Sequence, residues 1–105
     1  MEKGLEYAIL YLGQNDSILE GTKLEVYYTA WYTDSSIVDS NKDKRPHRFK
    51  VGQGRVIKGW EQLIPMVNKG GKLYLKLSHN FAFGDGRADG VRPFKTVIFG
   101  IEIKD

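Results

Sequence analysis

The side chains that most often do covalent chemistry are scarce or badly spaced in this chain of 105 residues. Cysteine is absent, which removes thiol nucleophiles, disulfides and thiolate metal sites. The two histidines, His47 and His79, do not stand at metal-ligand spacing. Ser35, Ser36, Ser40 and Ser78 sit outside any nucleophile-elbow context, and the adjacency of Ser78 and His79 does not by itself give a nucleophile bonded to its base. No spacing argues for paired carboxylates of the glycosidase kind. The glycines of GQGRVIKG (Gly52, Gly54, Gly59) fail both phosphate-loop patterns. A dinucleotide fingerprint wants glycine where Ile57 stands, and a P-loop wants Gly-Lys-Ser/Thr at its end. These glycines suit a turn and a close approach of backbone to a neighbour or ligand.

What remains is aromatic. Trp60 follows Gly59 where a helix begins, and plain core packing is the first reading for such a residue. Phe81, Phe83 and Phe94 fall in a stretch of Gly, Asp, Arg and Pro that no strand needs, so they line or cover something apolar, although Phe81 is better read as loop folded onto its own core. Asp39 follows Ile37 and Val38 at a strand edge, as a polar anchor in an apolar site or as a turn cap. Together these residues suggest a pocket that binds an apolar group, or catalyses by desolvation and shape without a nucleophile.

The elements that must position them are mostly strands. Residues 5–12, 22–33, 47–51, 72–78 and 96–104 are β-branched, aromatic or alternating, which predicts a sheet with one buried and one wet face. One helix is expected from Gly59 to Val67, with Trp60, Leu63, Ile64 and Val67 as its apolar stripe. Pro65 requires it to be short, and NKGG ends it. Two long loops, 39–46 and 79–95, carry the remaining candidates. One short helix on a mostly antiparallel sheet makes an α+β fold.

Composition bounds the rest. With 41% hydrophobic and 28% charged residues the chain reads as one globular domain, 1–105, although it could be an excerpt from a longer protein. A net charge of +3 is too mild to imply nucleic acid. The cations Lys42, Lys44, Arg45, Arg48, Lys50 and Arg55 are interrupted by Asp43 and read as a solvated face. No apolar run is long enough for a signal peptide or membrane span, so a soluble, cytoplasmic chain is expected.

The order VYYTAWYTDSSIVDS, then RPHRFKVGQGRVIKGWEQLIPMVNKGGKLYLKLSHNFAFGDG, then VRPFKTVIFGIEI resembles the FKBP-type peptidyl-prolyl isomerases, the macrolide-binding immunophilins, from about Leu5 to Asp105. The resemblance implies a five- to six-stranded antiparallel half-barrel around one short helix. It makes Trp60 the pocket floor on which a proline ring rests, half core and half binding surface. It implies that Tyr28, Asp39, Phe49, Val56, Ile57, Phe83 and Phe99 line the cavity and that Ile57 offers its backbone N–H to a ligand carbonyl. Val38, His47 and Val91 fall at substrate-touching positions. No cofactor is implied; the implied partners are proline-containing peptides, unfolded proteins and macrolide inhibitors, and a monomer is expected. Four residues depart from the family pattern: Val38 replaces an aromatic, His47 a phenylalanine, Phe83 a tyrosine and Arg92 an apolar residue. The expected activity is isomerisation of X-Pro bonds, weakened by these changes; a catalytically weak protein-binding or chaperone module of the same fold is the alternative.

Overall fold

The computed structural model describes residues 3–86 and 90–105. Six strands are joined in one antiparallel sheet: β1 (Leu5–Tyr11), β2 (Lys23–Tyr32), β3 (Ile37–Ser40), β4 (His47–Lys50), β5 (Lys72–Leu77) and β6 (Val97–Ile103). The path is β1-β5-β6-β2-β3, with β4 also on β2. Ten-residue β2 organises the sheet. One edge pairs with β6 from Val26↔Ile103 to Tyr32↔Val97, while the other holds β4 with its first half and β3 with its second. The expected α+β half-barrel around one helix is therefore present.

Alternation decides which side chains face inward. In β5, Leu73, Leu75 and Leu77 are buried while Lys72, Tyr74 and Lys76 are exposed; in β6, Val97, Phe99, Ile101 and Ile103 are buried. The outermost strand is an exception. Along β1 only Leu5 is buried, and this edge strand pairs with β5 alone. β3 was not foreseen as a strand: IVDS is short and half polar, and its pairing with β2 supplies what its composition does not.

The helix is shorter than the 59–67 expected. α1 spans Lys58–Leu63 and is followed by a 3-10 turn over Ile64–Met66. Pro65 is the cause, since it has no N–H to continue the α pattern and its ring crowds the preceding turn. The predicted stripe survives, with Trp60, Leu63, Ile64 and Val67 all buried against the sheet. Gly59 explains how close that packing is. A Cβ there would overlap the Leu77 side chain, itself wholly buried, so the residue before the tryptophan is glycine because α1 lies directly on β5.

Candidate active site

Trp60 is the centre of an aromatic box on the concave side of the sheet. Its ring meets Tyr28 edge-on at 5.2 Å, Phe99 edge-on at 5.5 Å, Phe49 at 6.0 Å and His47 at 6.2 Å between centroids. These distances suit edge-to-face and tilted pairs, the arrangements that ring quadrupoles favour. Trp60 is only 4% exposed, so it is more core than the half-and-half residue expected, yet one part still reaches the cavity. Its indole Nε1 is buried without a hydrogen-bond acceptor. Burying an unpaired donor is costly, and only close packing of the surrounding rings offsets it.

The cavity above has a volume of about 260 Å³ and is lined by Tyr28, Ala30, Asp39, His47, Arg55, Val56, Ile57, Trp60, Phe83 and Phe99. Eight of the eleven residues expected at the site are thus brought together. Three are not. Phe49 is buried behind His47, which stacks on it at 5.8 Å, and it supports Trp60 from the core side. Val38 packs against the core and Val91 lies in the loop, bonding through its N–H to the Gly86 carbonyl; neither lines the cavity. Sequence reasoning missed Ala30, inward-facing on β2, and Arg55, which it had counted only among surface cations.

Local backbone chemistry sets each wall. Gly52 and Gly54 both take positive φ, and the Gly52 N–H donates to Glu61 Oε2 at 2.6 Å, which ties this turn to α1. The turn delivers Arg55, Val56 and Ile57 to the rim. Ile57 caps α1 in extended conformation, its carbonyl accepting from Trp60 and Glu61, while its own N–H has no partner among the described residues. That amide is a donor available to a ligand carbonyl.

Tyr28 and Asp39 form the polar wall. Tyr28 Oη donates to Asp39 Oδ2 at 2.7 Å, and Asp39 Oδ1 accepts the Ser40 N–H at 2.8 Å. Burial first, and then the hydrogen bond to and charge of Asp39, push the Tyr28 hydroxyl up to about 12. It therefore stays protonated, with its proton committed to Asp39. The backbone of Tyr28 is held just as firmly by Asn41: Tyr28 N–H donates to Asn41 Oδ1 at 2.7 Å, and Asn41 Nδ2 donates to the carbonyls of Val26 (3.0 Å) and Arg45 (3.3 Å).

The loop expected over 79–95 contributes less than its phenylalanines suggest; its residues 87–89 lie outside those described. Phe83 covers the cavity, 6.1 Å from Phe99. Phe81 is core, as expected, but Phe94 is 64% exposed and rests edge-on against His79. Arg92 turns away from the pocket. Its guanidinium sits 4.3 Å above the Tyr32 ring and 3.1 Å from Asp34 Oδ2, and its N–H donates to Tyr32 Oη, so this departure clamps the loop to the β2–β3 turn. Ser36, through its hydroxyl and backbone N–H, and then Arg92 hold the Asp34 carboxyl down to about 2.

A further concavity, about 160 Å³ on the outer face of the sheet, lies at Gly100, over which Trp31 and Tyr74 form a tilted pair at 6.4 Å. Lys42, Lys72 and Glu102 share its lining with Tyr27, Trp31 and Tyr74. Among the described residues no group of three His, Cys, Asp or Glu gathers to hold a metal, and no helix is long and apolar enough to cross a membrane.

Comparison with known proteins agrees with this geometry. The family model described as FKBP-type peptidyl-prolyl cis-trans isomerase matches residues 14–104. A probable FKBP-type peptidyl-prolyl cis-trans isomerase of Haemophilus influenzae is 31% identical over 99% of this chain, which spans 43% of that longer protein. FK506-binding protein 1 of Dictyostelium discoideum is 30% identical, with 95% of each chain covered. Among solved structures, the crystal structure of AtFKBP13 superposes with a TM-score of 0.83 at 27% identity, covering 93% of this chain and 89% of that one. By sequence and by fold, this chain belongs to the FKBP-type peptidyl-prolyl cis-trans isomerase family.

Proposed function

We propose that the 260 Å³ cavity receives a proline ring on Trp60 and accelerates cis/trans exchange of the preceding X-Pro bond. The observation that carries this reading is the convergence of four rings on Trp60 beside the unpartnered Ile57 N–H. The reaction makes and breaks no bond to protein. The planar amide resists rotation by ~18–20 kcal/mol because twisting destroys its resonance. The twisted amide also has less charge separation than the planar one, so a dry apolar cavity favours it over the ground state. Lowering the barrier by about 4 kcal/mol gives roughly a thousandfold acceleration. In this reading Ile57 N–H fixes a substrate carbonyl, Tyr28 and Asp39 orient the amide, and Val56, Phe83 and Phe99 exclude water. Residues 1–105 form a single domain acting as a monomer on proline-containing segments of peptides and unfolded proteins. Two-dimensional exchange spectroscopy on Ala-Pro and Leu-Pro peptides should show exchange faster than the uncatalysed tens to hundreds of seconds. Uncatalysed rates across several residues before proline would leave only a silent binding module.

The same cavity should take a macrolide, and Phe83 sets how tightly. Phe83→Tyr adds a hydroxyl where the ring covers the pocket. One net hydrogen bond of about 0.5–1.5 kcal/mol corresponds to a roughly two- to tenfold gain in affinity. Isomerisation should gain less, because an interaction made equally in ground and transition states leaves turnover unchanged. Calorimetric titration of both proteins with one macrolide checks this, and unchanged or weaker binding by the tyrosine variant contradicts the placement of Phe83 over the ligand.

A further inference from the structure

Beside the aromatic cavity lies a second concavity of about 460 Å³, lined by His47, Arg48, Phe49, Lys50, Gln53 and Arg55. His47 and Arg55 line both, so the two share a wall. All four residues of β4 contribute. Successive strand residues face opposite ways, so four in a row share one hollow only along the strand's edge, and β4 is bonded on one side alone, to β2. An extended chain leaving the proline pocket therefore meets an open strand edge flanked by cations.

The charge is one-sided. Arg48, Lys50 and Arg55 are fixed cations, and among the described residues no carboxylate lines the hollow. Glu25 lies 3.7 Å from Arg48 but on the β2 side, where it is shared with Lys104 at 3.6 Å. Asp39, across the neighbouring cavity, is occupied by Tyr28 Oη and the Ser40 N–H. The six-residue basic cluster of the sequence is divided: Lys42 lines the outer-face concavity instead.

We propose that this hollow is an anion-accepting subsite, which takes a carboxylate or phosphoryl side chain within about two residues of the bound proline and so directs the enzyme to acidic X-Pro segments. The inference rests on reading the aromatic cavity as the proline site. Arg55 is its specificity-determining residue, because among the described residues it alone of the fixed cations touches both spaces. Lys42 faces elsewhere, which divides the cationic run that a stretch of nucleic acid would need.

The test is exchange spectroscopy on one peptide series with Ala, Glu, Lys or phosphoserine placed in turn from two residues before to two after proline. At the best position Glu should raise kcat/KM about two- to fivefold over Ala, as expected for an exposed ion pair, and Lys should lower it. About 0.5 M salt should erase the difference. Arg55→Gln combined with Lys50→Gln should bring the Glu/Ala ratio to one, whereas Arg55→Lys should keep most of it. Enhancement by both Glu and phosphoserine identifies carboxylate recognition, and enhancement by phosphoserine alone identifies phosphoryl recognition. A ratio near one at every position, a ratio untouched in the double variant, or tighter binding of an oligonucleotide than of any acidic peptide overturns the proposal. Turnover of the Ala peptide reports the isomerase reading separately. If no peptide is turned over, chemical-shift titration with the Glu and Ala peptides still decides whether the subsite binds an anion.

Discussion

Trp60→Leu should lower the unfolding free energy by about 3 kcal/mol and, in the protein that remains folded, lower kcat/KM for X-Pro exchange at least about tenfold. The stability loss follows from burial, because truncating a buried large aromatic typically costs 3–5 kcal/mol and leucine refills part of the space. With Trp60 in contact with Tyr28, His47, Phe49 and Phe99, four rings lose a partner together. A domain of this size is typically stable by about 5–15 kcal/mol, so the variant should still fold at low temperature. Trp60→Phe separates packing from function. It keeps a ring and removes the unpaired buried indole N–H, so its stability should fall by less than its volume change implies. Denaturant unfolding gives the first quantity and exchange spectroscopy the second. In a Trp31→Phe background, where Trp60 is the one remaining tryptophan, a proline-mimetic ligand should also change the fluorescence. A folded Trp60→Leu protein with exchange rates within twofold of the parent would mean that the proline does not rest on this ring.

How much of this was legible in the sequence varied with the physics of each part. Periodicity carried the sheet and the helical stripe, because burial on one face is written directly into alternation in β5 and β6 and into the spacing of Trp60, Leu63, Ile64 and Val67. It was misleading for β1, whose apolar residues are mostly exposed at the sheet edge, and silent for β3, which exists because β2 offers it a partner. Tyr28, Asp39, Val56, Ile57 and Phe99 were named at the cavity by resemblance to a family. Phe49, Val38 and Val91 lie outside the cavity lining, because a motif fixes neighbourhood, not direction. His47 and Phe49 share a face of β4, but the first reaches the cavity and the second ends beneath it. Val91 bonds to Gly86, and its neighbour Arg92 clamps Tyr32 and Asp34, a contact across about sixty residues of chain that no local pattern announces. Arg55 was overlooked for a similar reason, since a cation in a run of cations gives no sign of which one faces a pocket.

Asn41 is the clearest case of such hidden structure, and its replacement should have the second large effect. It lies in the charged 39–46 loop but is 8% exposed, and its side chain takes the Tyr28 N–H and serves the carbonyls of Val26 and Arg45. Its backbone completes the clasp, with Asn41 N–H donating to the Tyr28 carbonyl at 3.1 Å. Asn41→Ala leaves the partly buried Tyr28 amide and the buried Val26 carbonyl without these partners. At about 1–3 kcal/mol for each unsatisfied buried group, a loss of roughly 2–4 kcal/mol in unfolding free energy is expected after partial relaxation. Function should fall too, because Asp39 precedes the clasp by two residues and its bond to Tyr28 Oη depends on both strands being held in register. Asn41→Asp keeps an acceptor for the Tyr28 N–H but loses the donor to Val26, so it should fall between the alanine variant and the parent. Denaturant unfolding and amide exchange measure the two consequences: the midpoint should drop, and protection of the Tyr28 amide should disappear in the alanine variant while persisting in the aspartate one. A change in stability under about 0.5 kcal/mol, with the Tyr28 amide still protected in both, would show that β2 holds its own geometry and that Asn41 merely fills the loop.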